Sequence, residues 1–146
     1  MLAKYWIIVA SKDHVQNGMR GSFAQANHGK STPLKRFKKG DWVIFYSSKA
    51  EYGKAEKCQC FTAIGQVQDD LVYQAFMGHD FAPFRRNVTF YPSQEIAILP
   101  LISKLSFIKD KIRWGGPFRF GMLEIPVPDF DLIFGLMLPE PVRQAL

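Results

Sequence analysis

The sequence predicts a single α+β or mostly-β domain of barrel-like character, with several strands and a few short helices at their ends. Three observations lead there. A chain of 146 residues has the size of one ordinary domain, so any site must be built on a single core. Residues 4–10 (KYWIIVA) and 41–47 (DWVIFYS) are almost uniformly apolar and rich in β-branched and aromatic side chains, which suits strands covered on both faces. The remaining segments show no regular alternation of strand and helix, which argues against a Rossmann-type sheet.

Taken in order, residues 4–10 open the core as a strand. Ser11 then stands as an N-cap for a short helix or turn over 12–17 that ends at Gly18 and Gly21. Residues 21–32 are polar, small and glycine-flanked, with Phe23 as their one aromatic, and form a loop long enough to be functional. Thr32 and Pro33 make a helix-start pair, with Leu34 and Phe37 following and Gly40 as the stop. Residues 41–47 are the second strand, and 48–57 a polar connector containing Gly53. Residues 60–67 and 71–76 read as two strands joined by a turn at Gln68, Asp69 and Asp70. Residues 86–91 alternate as a further strand, closed by Pro92.

The C-terminal third has a different texture. After Pro100, the spacing of Leu101, Ile102, Leu105 and Ile108 predicts one amphipathic helix. A turn containing Trp114, Gly115, Gly116 and Pro117 follows, and residues 118–125 are ambiguous between strand and turn. Asp129 is placed to cap a last helix over 130–137, with Phe130, Ile133, Phe134 and Met137 on one face.

Composition excludes several classes. With 47% hydrophobic and 22% charged residues, the chain carries too much apolar material for intrinsic disorder. No run reaches the roughly 18 apolar residues of a membrane span, and the N-terminus has no secretory-signal pattern, so a cytoplasmic protein without membrane partners is expected. The net charge of +6 is lopsided: residues 1–60 hold eleven basic and four acidic side chains, residues 61–146 eight and nine. The excess gathers at Lys30, Lys35, Arg36, Lys38 and Lys39, then Lys49, Lys54 and Lys57. Such a cluster is either an electrostatic footprint for phosphates or a solvated face.

Cys58 and Cys60 lie one residue apart on what reads as the start of a strand, so alternation points both the same way. A disulfide across one residue is strained, and a zinc site usually needs a second ligand pair that the scattered His14, His28 and His79 do not supply. Two reduced thiols on one side of a strand, and no metal or other cofactor, are the expectation.

The segment AQANHGKS, from Ala24 to Ser31, satisfies a relaxed phosphate-loop pattern, but its context fails. Such a loop leaves a buried strand directly and enters a substantial helix, whereas here the strand ends near residue 10 and Pro33 opens only a short helix. Binding of a single phosphate by the loop amides and Lys30 is the weaker statement that survives. No serine sits in a G-x-S-x-G elbow and no carboxylate pair lies in an obviously buried context, so a binding module is expected before an enzyme. Trp6 and Trp42 belong to strands and to the core. Trp114, in a turn beside Lys109, Lys111 and Arg113, either stacks on a base or caps an apolar patch.

Several segments resemble a known family in order along nearly the whole chain: YWIIVASKDHV from Tyr5, GSFAQANHGK from Gly21, PLKR from Pro33, GDWVIFYS from Gly40, LSFI from Leu105 and WGGPFRFG from Trp114. They resemble the EVE domain proteins of the PUA-like superfamily, relatives of the YTH domains. The resemblance implies a PUA-like curved mixed β-barrel with short peripheral helices. It also implies a nucleic-acid-binding module, on DNA or RNA, that reads a modified, flipped or single-stranded base in an aromatic-walled pocket. Carried onto this sequence, Ser11 and Lys12 stand at the pocket mouth. Phe23, Gln25 and Asn27 form the loop wall, Tyr46 and Ser47 the floor, and Trp114 and Phe118 the facing aromatic wall. His28, Gly29, Lys30, Lys35, Arg36 and Lys39 contact phosphates. YTH cages use tryptophan on several walls, whereas the loop here offers Phe23. The alternatives are a small-molecule site in the same pocket, or an enzyme acting on a nucleotide through His14 or His28.

Overall fold

The computed structural model describes residues 2–78 and 80–146, and for Asn27 the backbone alone. His79 and the side chain of Asn27 therefore lie outside the described residues. Seven strands make one mixed sheet: β1 (Tyr5–Val9), β2 (Phe23–Ala24), β3 (Trp42–Lys49), β4 (Lys57–Gln74), β5 (Phe84–Phe90), β6 (Ile96–Ala97) and β7 (Met122–Glu124). The order is β2-β5-β4-β3-β1-β7, with β6 pairing β4. The β1 and β3 strands run parallel and the other pairs antiparallel. Among the described residues four α-helices, α1 (Lys12–Gly21), α2 (Ser31–Leu34), α3 (Val127–Met137) and α4 (Glu140–Gln144), join short 3-10 segments around the sheet. Among the described residues no helix is long and apolar enough to cross a membrane.

The uniform apolarity of β1 and β3 has the physical reason the sequence suggested, because both faces of the sheet are covered. Trp6 and Ile8, with Val43 and Phe45, pack on one side against Val15 of α1, Leu34 of α2 and Phe37. Ile7, Ile44 and Tyr46 pack on the other against Phe130, Ile133 and Met137 of α3 and against Leu101, Leu105 and Ile108. A slip in the β3–β4 pairing keeps β4 in step with this. Phe45 faces Ala63 while Tyr46 faces Phe61, so Thr62 is the extra residue, and its hydroxyl lies 2.8 Å from that of Ser47. At the start of the parallel pair the buried carboxylate of Asp41 accepts hydrogen bonds from the Lys4 amide, the Lys38 amide and the Trp6 indole at 3.0, 2.9 and 3.0 Å. Three donors offset the desolvation of that charge and fix where β1 and β3 begin.

Four local expectations are corrected. Residues 60–67 and 71–76 belong to one strand, β4, whose pairing with β5 shifts register between Val67 and Val72. The acidic pair there is a bulge, because its polar groups are met across the strand: Asn87 donates to Asp69 Oδ2 and Arg86 to the Asp69 carbonyl. The segment after Pro100 is a 3-10 helix, Leu99–Lys104, and not a longer α-helix. Asp129 is the reason: its carboxylate takes the amides of Ser106 and Phe107, and the Ser106 hydroxyl, at 2.8–2.9 Å, so those amides leave the helical ladder. Asp129 itself is the third residue of α3, which starts at Val127 after Pro126. Thr32 likewise lies inside α2, whose N-cap is Lys30.

Candidate functional site

A cavity of about 1130 Å³ opens where the end of β1, the first half of α1, the β2 segment with its following 3-10 turn, and the end of β3 meet. Close backbone approach makes room for it. A Cβ on Gly18 would sit 2.6 Å from the Phe23 carbonyl oxygen, so glycine there lets α1 lie directly on β2. Gly29, at φ +80°, would put a Cβ 2.5 Å from that of Pro83. It holds the 3-10 turn Asn27–Gly29 against the start of β5.

The walls carry aromatic and polar groups in a definite arrangement. The Arg85 guanidinium lies over the Phe23 ring, 3.7 Å from its centroid. Its Nε donates to Gln25 Oε1 at 2.7 Å and its Nη2 approaches Met77 Sδ at 3.1 Å. Phe81 and Met77 line the same cavity from the β4–β5 connection, and both are substantially exposed. A second aromatic group comes from α1 and residues 50–56, the connector between β3 and β4. The Asp13 amide donates to the Ala50 carbonyl at 3.0 Å, and the Asp13 carboxylate accepts from the Tyr52 amide at 3.2 Å. This pins the connector over the start of α1 and stacks Tyr52 on His14, centroids 5.1 Å apart. His28, left-handed at φ +60°, meets the Tyr52 ring edge-on at 6.5 Å. Lys49, Lys54, Arg85 and Arg119 stand on this lining against the single carboxylate of Glu51. The cavity therefore favours an anionic ligand.

Of the residues expected at the site, Ser11, Phe23, Gln25, His28, Gly29 and Phe118 line this cavity. The Ser11 hydroxyl is buried with no hydrogen-bond partner among the described groups. Lys12 is turned aside: its ammonium pairs with Glu95 at 2.8 Å, and that hydrogen bond holds its pKa above the ordinary lysine value. Tyr46 is core, stacked on Phe118 at 4.3 Å, and burial pushes its hydroxyl pKa up. Ser47 is fully buried and spends its hydroxyl on Thr62. Trp114 stands edge-on to Phe118 at 6.5 Å. With Tyr46 it lines a smaller adjoining cavity of about 240 Å³, and Val9, Ser48, Phe118 and Arg119 border both cavities. Lys30, Lys35, Arg36 and Lys39 are exposed and outside either lining. Arg36 lies over the Trp6 ring at 4.8 Å, and the Lys39 amide donates to Asp70.

Sequence reasoning missed Tyr52, Met77, Phe81, Arg85 and Arg119. For Arg85 a signal existed. Two arginines in succession on an alternating strand must point to opposite faces, so one is set into the interior and the other is available to a site.

A mixed sheet covered on both faces, carrying at one end an aromatic and basic cavity, defines an α+β domain with a candidate ligand site. The EVE domain model matches residues 4–136. A UPF0310 protein of Mycolicibacterium gilvum is 52% identical over 132 residues, covering 90% of this chain and 94% of its own. One from Mycolicibacterium vanbaalenii is 50% identical over 140 residues, covering 96% and 97%. The chain belongs to the EVE domain family. Its fold is shared with a solved structure from Leishmania major described as a hypothetical protein, at TM-score 0.56 and 12% identity, over 92% of this chain and 94% of the other.

Proposed function

We propose that this chain is a nucleic-acid-binding module that takes one extruded or single-stranded base, with its sugar and phosphate, into the large cavity. The observation that carries the reading is the Arg85–Phe23 stack with Gln25 held beside it. A base needs a planar surface for its π-face and amide or hydroxyl groups for its edge. The guanidinium plane and the rings of Phe23 and Phe81 supply the first, and the Gln25 amide the second. The volume suits this size of ligand: about 1130 Å³ slightly exceeds the ~300–1,000 Å³ of a typical small-molecule site, enough for a nucleotide unit and not only a base. Lys49, Lys54 and Arg119 at the lining, and Lys30, Lys35, Arg36 and Lys39 on the surface of the segment that follows it, serve the phosphates on either side. On this reading the sheet has the curved PUA-like arrangement and the pocket is YTH-like, with phenylalanine and arginine in place of a tryptophan cage.

Fluorescence anisotropy tests it, using single-stranded DNA and RNA oligonucleotides with unmodified, methylated or hydroxymethylated bases at two salt concentrations. The expected result is salt-dependent binding that prefers one base type. Arg85→Met should weaken binding roughly tenfold or more, the equivalent of about 1.4 kcal/mol, with the melting temperature nearly unchanged. Absence of binding to every oligonucleotide at low salt overturns the proposal. Binding of a free nucleotide with weak salt dependence would instead assign the cavity to a small metabolite.

A further inference from the structure

We propose that Cys58, Cys60 and Glu95 form a binding site for a thiophilic d10 divalent cation such as Zn2+, independent of the large cavity. The two thiol sulfurs and a carboxylate oxygen of Glu95 all lie within 4.8 Å of one another. A regular strand keeps side chains two residues apart on one face but does not draw them together. Here Gln59, between the cysteines, is left-handed at φ +53°. The β3–β4 register also slips between Ser47 and Lys49, opposite this stretch. The strand is bent where the thiols converge. Glu95 arrives from the residue before β6, whose Ala97 pairs with Cys60.

The donor set selects the ion. Two sulfurs and one oxygen suit a soft or borderline cation and not Mg2+ or Ca2+, which take oxygen ligands. Tetrahedral zinc with bonds of about 2.3 Å to sulfur places neighbouring ligands about 3.8 Å apart. The cluster must close by about 1 Å, within reach of side-chain rotation about staggered wells. A water completes the fourth position, the arrangement of three-ligand zinc sites. The third ligand already holds a cation, since the Lys12 ammonium sits 2.8 Å from Glu95 Oε2. The metal replaces this ammonium at the carboxylate. A thiol must give up its proton to ligate the metal, so binding must expel protons and the affinity must rise with pH.

The test is titration of the reduced protein with Cd2+, following the ultraviolet thiolate-to-metal charge-transfer band, and with Zn2+ against a chromophoric chelator. Mg2+ and Ca2+ serve as hard-cation arms. One ion per chain is expected, with affinity increasing as pH is raised. Cys58→Ser and Cys60→Ser should each lose at least about tenfold in affinity, and Glu95→Gln several-fold. Lys12→Ala should bind more tightly than the parent, because its competing ammonium is gone, an outcome a purely structural lysine would not give. Absence of a charge-transfer band overturns the proposal, as does binding that Cys60→Ser leaves unchanged. If either cysteine variant fails to fold, the carboxylate and lysine variants decide: parental affinity in both overturns the three-ligand site.

Discussion

Arg86→Met isolates one large polar commitment in the interior. Arg86 is 1% exposed. Its Nη1 donates to the carbonyls of Leu34 and Phe37 at 2.7 and 2.8 Å, and its Nη2 to that of Asp69 at 2.6 Å. One of those carbonyls belongs to the last residue of α2, one to Phe37 three residues further on and the third to the β4 bulge, so one guanidinium ties all three to β5. Burial pulls its pKa down while Asp70, Asp69 and Asp41 pull it up, but a guanidinium stays charged throughout the accessible range. Methionine keeps most of the apolar stem and removes every donor. Each buried carbonyl left without a donor costs about 1–3 kcal/mol. The one ion-pair partner, Asp70 at 3.8 Å, is 72% exposed and rehydrates freely, so the carbonyls carry the effect. Allowing for partial relaxation, the expected loss is about 3–5 kcal/mol, comparable to breaking a buried charged pair. For a chain of this size that corresponds to a drop in Tm on the order of 10 °C. Urea unfolding should show the midpoint falling with the m-value unchanged. Arg86→Lys, which keeps the charge but cannot span three acceptors, should fall between. A loss below about 1 kcal/mol for Arg86→Met would refute the argument that this residue holds α2 and the bulge in place.

Two further predictions concern the cavity wall and the acid limb of stability. Gly29→Ala places a Cβ 2.5 Å from Pro83 Cβ at a left-handed φ, so it should cost about 1–3 kcal/mol and weaken oligonucleotide binding together with Tm; an unchanged Tm would show that the 3-10 turn yields freely. Asp69 is held below the ordinary carboxylate value by the hydrogen bond from Asn87 and then by the Leu71 amide. A depressed folded-state pKa gives stability that is fully present above about pH 3.9 and is lost as pH falls through the lower folded value. Asn87→Ala should therefore lower Tm at pH 6, with the gap to the parent closing on acidification, and a gap that ignores pH would remove Asp69 from the account.

What the sequence made legible was whatever depends on near neighbours, and the misreadings at 68–70, after Pro100 and at Asp129 share one cause. The apolar runs of β1 and β3 announce two covered faces because every residue in them repeats the same message. The strand at 86–91 shows through its alternation, and the buried face of α3 through the spacing of Phe130, Ile133 and Met137. The errors fall where a polar side chain is satisfied from far along the chain. Asp69 and Asp70 look like a turn until Arg86 and Asn87 meet the bulge across the strand. Asp129 looks like a helix cap until its carboxylate is found on Ser106 and Phe107.

The candidate site divides in the same way. Phe23, Gln25 and Ser11 were expected together from the resemblance to EVE domains, and they do line one cavity. Tyr52, Phe81 and Arg85 arrive from three other elements: the sheet order, with β2 beside β5 and β5 beside β4, brings Phe81 and Arg85 to Phe23, and the bonds of Asp13 to Ala50 and Tyr52 bring Tyr52 to the same cavity. Register also decides which of two identical residues does what. Ala24 pairs with Arg86 and Phe23 with Asn87, so the FRRN run sets Arg86 into the interior under α2 while Arg85 turns to the Phe23 ring. A one-residue slip of β5 would exchange those roles, burying the guanidinium that faces the cavity and exposing the one that holds the fold. Recognition and stability in this domain are therefore coupled through the pairing of β5. The contrast between Arg85→Met, which should lose ligand and keep stability, and Arg86→Met, which should lose stability first, is the sharpest test of that register.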